Sequence, residues 1–115
     1  MTTRKVEWTE VAARDVERIA ERIAERIAER IAEDAPLRVE KIVDRIIGRA
    51  EALGTMTNRG RTPPELRAIG DRTWLEVIES PWRIIYRVVG DTVEIHAILD
   101  GRRDLRDLLL ERLLG

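Results

Sequence analysis

Three short segments near the C-terminal half, residues 73–79, 82–89 and 92–99, alternate apolar and polar side chains. Period two is the pattern of a strand buried on one face, and it constrains the chain more tightly than any other feature. Gly90-Asp91, between the last two segments, suits a two-residue hairpin turn, where positive φ is needed. From that turn Val88 pairs with Val93, Tyr86 with Ile95, Ile84 with Ala97 and Trp82 with Leu99, all apolar or aromatic and all on one face. The other face pairs Arg87 with Glu94, Ile85 with His96 and Arg83 with Ile98. A slip of one residue would exchange the faces, so the alternation predicts this register. With Ser80-Pro81 as the preceding loop, Leu75 and Val77 join the apolar face. Trp74, Glu76 and Ile78 join the other, with Trp74 opposite Arg87. The expected sheet has one face for helices and one open face carrying Trp74, Glu76, Arg83, Arg87, Glu94 and His96. That open face is either a solvated surface of cross-strand ion pairs or a binding face. In the second case Arg83 and Arg87 would hold phosphate or carboxylate through their planar donor forks.

Upstream, residues 4–8 read as a short strand and Thr9 as an N-cap. From Glu10 to about Glu33 there is no Gly or Pro, and good helix formers dominate. One helix of about 24 residues is expected, roughly 36 Å long. Within it Glu-Arg-Ile-Ala occurs four times, from Glu17 to Ala32. Each repeat turns the helix about 400°, so Ile19, Ile23, Ile27 and Ile31 drift about 40° per step instead of holding one flat face. The repeat reads either as a recently expanded or engineered helix or as a stripe for a partner helix. Pro36 opens a second helix of about 18 residues that Gly54 ends, giving a hairpin about 10–53 whose first arm is longer by about 9 Å. Residues 55–64 are a loop by composition, and residues 104–114 a short C-terminal helix.

Cysteine is absent, and His96 is the single histidine, which excludes disulfides, thiolate chemistry and a multi-histidine metal centre. No cofactor is expected. Apolar runs are too short to span a membrane, and no signal peptide is visible, so a cytoplasmic protein of one domain, 1–115, is expected. Lys and Arg number 21 against 22 Asp and Glu. Near-neutrality disfavours a purely electrostatic binder of nucleic acid or membrane and suits a protein whose main partner is another protein.

Several motifs occur in a specific order: Val-Glu-Trp-Thr, Ala-Ala-Arg-Asp-Val-Glu-Arg-Ile, Ile-Ala-Glu-Asp-Ala-Pro, Arg-Gly-Arg-Thr-Pro-Pro-Glu-Leu, Trp-Arg-Ile-Ile-Tyr-Arg-Val and Asp-Gly-Arg-Arg-Asp-Leu. From about Val6 to Leu109 the chain resembles the RelE/ParE superfamily of toxins from bacterial type II toxin–antitoxin systems. The resemblance implies an α+β fold: a short N-terminal strand, a long helical hairpin, an antiparallel sheet of three or four strands at about 66–99, and a short C-terminal helix. The first helix departs from the family by about two Glu-Arg-Ile-Ala units.

RelE-like members cleave messenger RNA on the ribosome, and ParE-like members poison DNA gyrase. Arg83 falls at the RelE-type phosphate-contacting arginine, Arg103 near the second, and Glu65 near the carboxylate base of one branch. Trp74 and Glu76 stand at the two RelE-type lysine positions, and Leu109 at the RelE-type C-terminal tyrosine position. With no convincing general acid, the chain looks closer to ParE: a gyrase inhibitor without chemistry of its own, neutralised by a cognate antitoxin. The alternatives are a ribosome-dependent endoribonuclease using Arg83, Arg103 and Glu65, or an inactive or engineered scaffold with an expanded helix. Arg83, Arg87, Arg102, Arg103 and Trp74 are the expected target- or phosphate-binding residues. The Ile19, Ile23, Ile27, Ile31 stripe is expected to bind the antitoxin or a second copy of the chain.

Overall fold

The computed structural model describes residues 3–28, 35–102 and 105–114. Strand β1 (Lys5–Trp8) leads into helices α1 (Glu10–Ala28) and α2 (Ala35–Glu51). The one-turn helix α3 (Pro64–Arg67), strands β2 (Leu75–Glu79), β3 (Trp82–Val89) and β4 (Thr92–Asp100), and helix α4 (Arg106–Leu114) follow. Thr9 caps α1, its Oγ1 accepting from the Ala12 N–H at 3.1 Å. This removes one orphan donor of the first turn. The continuation of α1 to residue 33, and with it the overhang expected of the hairpin, lies outside the described residues. None of the described helices is long and apolar enough to cross a membrane.

The sheet order is β1-β4-β3-β2. β2, β3 and β4 are antiparallel, and β1 joins the edge of β4 in parallel, pairing Val6 with Val93 and Trp8 with Ile95. Gly90 takes φ 59° in the β3–β4 turn, a conformation that costs a side-chain-bearing residue more than it costs glycine. Beyond the turn Val88 pairs with Val93, Arg87 with Glu94 and Tyr86 with Ile95, as the alternation predicts.

There the expected register fails. Ile85 pairs with Ala97, Ile84 with Ile98, Arg83 with Leu99 and Trp82 with Asp100, so His96 is an extra residue in β4, a β-bulge. One inserted residue flips the alternation. Val93 and Ile95 face the helical hairpin, and after the bulge Ile98 does so in place of Ala97. Ala97 and Leu99 turn to the opposite face.

The sheet therefore carries two cores. Ala12 and Val16 of α1, Ile46 and Ala50 of α2, and Leu53 pack with Val77, Ile84, Tyr86, Val93, Ile95 and Ile98. On the other side Leu66 of α3 and Leu105 and Leu109 at α4 cover Trp74, Ile85, Ala97 and Leu99. Around Arg83 the face expected to be open is closed, while Arg87, Glu94 and His96 stay partly exposed at its other end. Trp74, Glu76 and Arg83 do share it, and they are buried, at 5%, 1% and 7% exposure. The apolar Ile85 at its centre, joined by Ala97 and Leu99, needs a cover, and the Leu-rich C-terminal helix supplies it.

Asp15 joins these layers. Its carboxylate is buried in α1, yet it accepts the Ile98 N–H just past the bulge at 3.0 Å and two bonds from Arg112 of α4 at 3.3 and 2.9 Å. Arg18 adds a bond at 2.9 Å. Arg112 also donates to the His96 carbonyl at 3.1 Å, so both sides of the bulge are held by one ion pair. Replacing Asp15 by Ala strands Arg112 and a buried backbone donor, and is expected to lower stability by about 3–5 kcal/mol. Asp15→Asn, which keeps an acceptor, is expected to lose less. Urea denaturation followed by circular dichroism measures both. A change within about 0.5 kcal/mol for Asp15→Ala would contradict this role.

Candidate functional site

Arg83 is the centre of a buried network on the α3/α4 side of the sheet. Its Nε donates to Glu76 Oε1 of the neighbouring strand at 2.6 Å. Its two terminal nitrogens fork onto Glu65 of α3, at 2.6 and 2.7 Å. Glu76 also accepts from Arg61 Nε at 3.0 Å. The Arg61 backbone forms an isolated bridge with Glu76 on the outer edge of β2. Glu76 and Arg83 thus compensate each other where an unpaired charge would be prohibitive, while Glu65 is part-buried and the Arg61 side chain reaches solvent. The Arg83 guanidinium holds the Glu65 carboxyl below the usual carboxylate range, and Glu65 in turn raises Arg83, burial opposing each shift. Gly101 packs on the Arg83 stem. A Cβ there would stand 2.9 Å from the Pro81 carbonyl and 3.0 Å from Arg83 Cγ, so a close approach requires glycine.

Beside this network Arg87 lies 5.2 Å over the Trp74 ring, and His96 meets the same ring edge-on at 4.7 Å. Glu94 links the two side chains, accepting from Arg87 Nε at 2.7 Å and contacting His96 Nε2 at 3.0 Å. His96, and then Arg87, lower the Glu94 carboxyl below its ordinary value. Tyr86 points to the opposite core. Its hydroxyl donates to the Thr57 carbonyl at 2.8 Å and accepts the Gly60 N–H at 3.0 Å, which ties down the loop ahead of α3.

A second feature is a groove of about 190 Å³ between α1 and the region of α4. Arg18, Arg22 and Arg26 form one wall with Ile19 and Ile23, while Trp82, Leu105, Leu108, Arg102 and Arg112 line the rest. Arg102 is fixed by Asp100, at 3.0 and 2.8 Å.

The residues named from the sequence therefore separate. Arg83 and Glu65 bond each other directly; Trp74 and Arg87 stack beside them; Arg102, Ile19 and Ile23 belong to the groove. Ile31 and Arg103, and the Ile27 side chain, lie outside the described residues. Sequence reasoning missed Asp15 and Arg112. The signal available for Asp15 was a single acid between Ala12 and Val16 on the apolar face of α1.

The network makes stability acid-sensitive. Glu65 has a folded pKa below its unfolded value of about 4.3. Its contribution is complete above that pH and is lost as pH falls through the folded value. Glu65→Gln is expected to be less stable than the wild type at neutral pH and to show a flatter loss below about pH 4. Arg83→Ala, which leaves Glu76 buried, is expected to cost about 3–5 kcal/mol. Urea midpoints across the acid range test both. Parallel acid profiles for wild type and Glu65→Gln would contradict the assignment.

The family model described as ParE toxin of type II toxin–antitoxin system, parDE, matches residues 6–105, from β1 to the residue before α4. Among solved structures, a chromosomal ParDE toxin–antitoxin system from P. aeruginosa has a similar fold, with a TM-score of 0.65 at 21% identity. It covers 85% of this chain and 96% of that chain. Comparison with curated proteins gives no match. The family match takes in β1, the helical hairpin, the whole sheet and every member of the Arg83 network. The chain belongs to the ParE toxin family of type II toxin–antitoxin systems.

Proposed function

We propose that this toxin acts in the cytoplasm by binding DNA gyrase and stabilising its cleaved-DNA state, with no bond-making step of its own, until a cognate antitoxin captures it. The observation that carries this reading is the engagement of Arg83. Cleavage of RNA by attack of its 2′-hydroxyl needs a base, an acid and a donor for the developing charge. Arg83 gives its Nε to Glu76 and both terminal nitrogens to Glu65. Glu65, the candidate base, is held ionised by that same guanidinium, and a carboxylate with a depressed pKa is a weaker base. Leu109, at the position of the RelE-type tyrosine, is fully buried on the face of α4 that packs on the sheet. His96 stands at the bulge between Glu94 and Trp74. Family membership supplies the toxin class, and this geometry favours protein binding over catalysis within it.

Capture by antitoxin is assigned to the groove beside α1, where Ile19 and Ile23 are half-buried and Leu108 is 38% exposed. Apolar side chains left in water beside a cavity are the usual footing of a partner helix.

Purified toxin at a stoichiometric amount is expected to block supercoiling by gyrase and to accumulate cleaved DNA. Full gyrase activity, together with ribosome-dependent cleavage of a defined message, would overturn the proposal in favour of the endoribonuclease.

A further inference from the structure

Two kinds of side chain line the groove beside α1, and a simple ion satisfies only one of them. Arg18, Arg22 and Arg26 stand at every fourth position of α1, a rise of about 6 Å per step. Arg102 and Arg112 add two guanidiniums, and Asp15 and Asp100 are the acids lining the same space. Both acids are engaged, Asp15 by Arg18 and Arg112, Asp100 by Arg102. Arg22 and Arg26 are exposed and form no ion pair among the described residues. Beside them Ile23 and Trp82 are half-buried and Leu108 is 38% exposed.

Charge and size narrow what fits. Five guanidiniums against two carboxylates leave the groove strongly positive. A fatty carboxylate would neutralise one of these cations and leave the rest. A bare phosphate chain would satisfy the arginines and leave the Trp82 indole in water. A nucleoside di- or triphosphate meets both demands. Its phosphate chain carries about three or four negative charges at neutral pH, since a terminal phosphate alone contributes about −1.5 to −2. Its base stacks on an indole whatever the base is, because every base has a π-face. The groove holds about 190 Å³. That is less than the roughly 300–1,000 Å³ that encloses a whole drug-sized ligand. The space therefore takes the base and leaves the phosphates at its mouth, where Arg22 and Arg26 are exposed.

We infer that this groove is a binding site for a nucleoside di- or triphosphate, with the base on Trp82 beside Ile23 and Leu108 and the phosphates on Arg22 and Arg26. Each guanidinium is a planar fork of donors that matches phosphate oxygens, and one helical turn between the two arginines sets both forks on one phosphate chain. Asp15 and Asp100, the acids that could read a base edge, are committed to arginines, so adenine and guanine nucleotides bind alike. Capture by antitoxin is assigned to the same groove, so nucleotide and antitoxin compete. That consequence rests on the antitoxin reading; the site itself does not.

The test uses the full chain and isothermal calorimetry without divalent cations, with ADP as probe and adenosine and inorganic pyrophosphate as its two halves. ADP is expected to bind at least about tenfold more tightly than either half, from the combined stacking and charge contacts. GDP is expected to match ADP. Arg22→Gln with Arg26→Gln, at exposed positions outside both cores, is expected to weaken ADP about tenfold or more and to leave adenosine unchanged. Trp82→Leu, checked for folding by circular dichroism, is expected to bring ADP down to the affinity of pyrophosphate. Pyrophosphate binding as tightly as ADP to the unaltered chain would overturn the inference and needs no variant. So would undiminished ADP binding by the double arginine variant, or a single-stranded oligonucleotide that binds more tightly than ADP and is lost in that variant. Adding ADP to a preformed complex with antitoxin separates the two readings: ADP binding to the free chain without displacement of antitoxin refutes the placement of antitoxin in the groove alone.

Discussion

A guanidinium buried on a sheet face has to be matched by carboxylates, and Arg83 is matched by two. Glu76 reaches it from the adjacent strand and Glu65 from α3, 18 residues away in the chain. Satisfying Arg83 therefore dictates where α3 sits, and α3 brings Leu66 onto Trp74 and Ile85. Arg61 completes the charge balance and lays its backbone along the outer edge of β2. That contact protects an edge that would otherwise offer unpaired groups to other chains. Arg83 is the member the network depends on: removing it leaves the fully buried Glu76 with only the solvent-exposed Arg61 as a partner.

The bulge at His96 is the second constraint, and it acts on the whole of β4. Before it, inward residues serve the hairpin core; after it, Ala97 and Leu99 serve the α4 core. Asp15 and Arg112 hold this irregularity from opposite sides of the sheet, one through the Ile98 N–H and the other through the His96 carbonyl. A domain this small gains from having a helix on each face of its sheet, because burying both faces recovers apolar area that a single face cannot supply.

Much of this architecture was legible in the sequence. The order of strands and helices apart from the one-turn α3, the Thr9 cap, the Gly90-Asp91 turn and the first three pairs beyond it follow from local propensity and alternation. The bulge was not legible, because the carboxylate that accepts the Ile98 N–H beside it lies 83 residues away at Asp15, and because Ala97, Ile98 and Leu99 are apolar on either face and suit both registers. Three consecutive apolar residues are, in retrospect, the mark of a strand whose alternation breaks. The sharing of one face by Trp74, Glu76 and Arg83 was readable from period two. Their burial was not, since it depends on α3 and α4 folding back over that face. Arg83 emerged from the strand alternation and Glu65 from a resemblance; only the fold shows them bonded to each other.

These constraints bear on how a toxin of this family works. An arginine whose three side-chain nitrogens are all engaged inside the protein serves the fold first, and among the described residues Arg22 and Arg26 of α1 are exposed cations without an ion pair. The most direct check is the Arg83 side chain itself, observed by nitrogen-resolved magnetic resonance. Its Nε–H, bonded to Glu76 at 2.6 Å, is expected to give a slowly exchanging resonance that saturating inorganic phosphate leaves in place. A rapidly exchanging Nε–H that shifts on adding phosphate would contradict the account and return Arg83 to the role of a phosphate-binding residue.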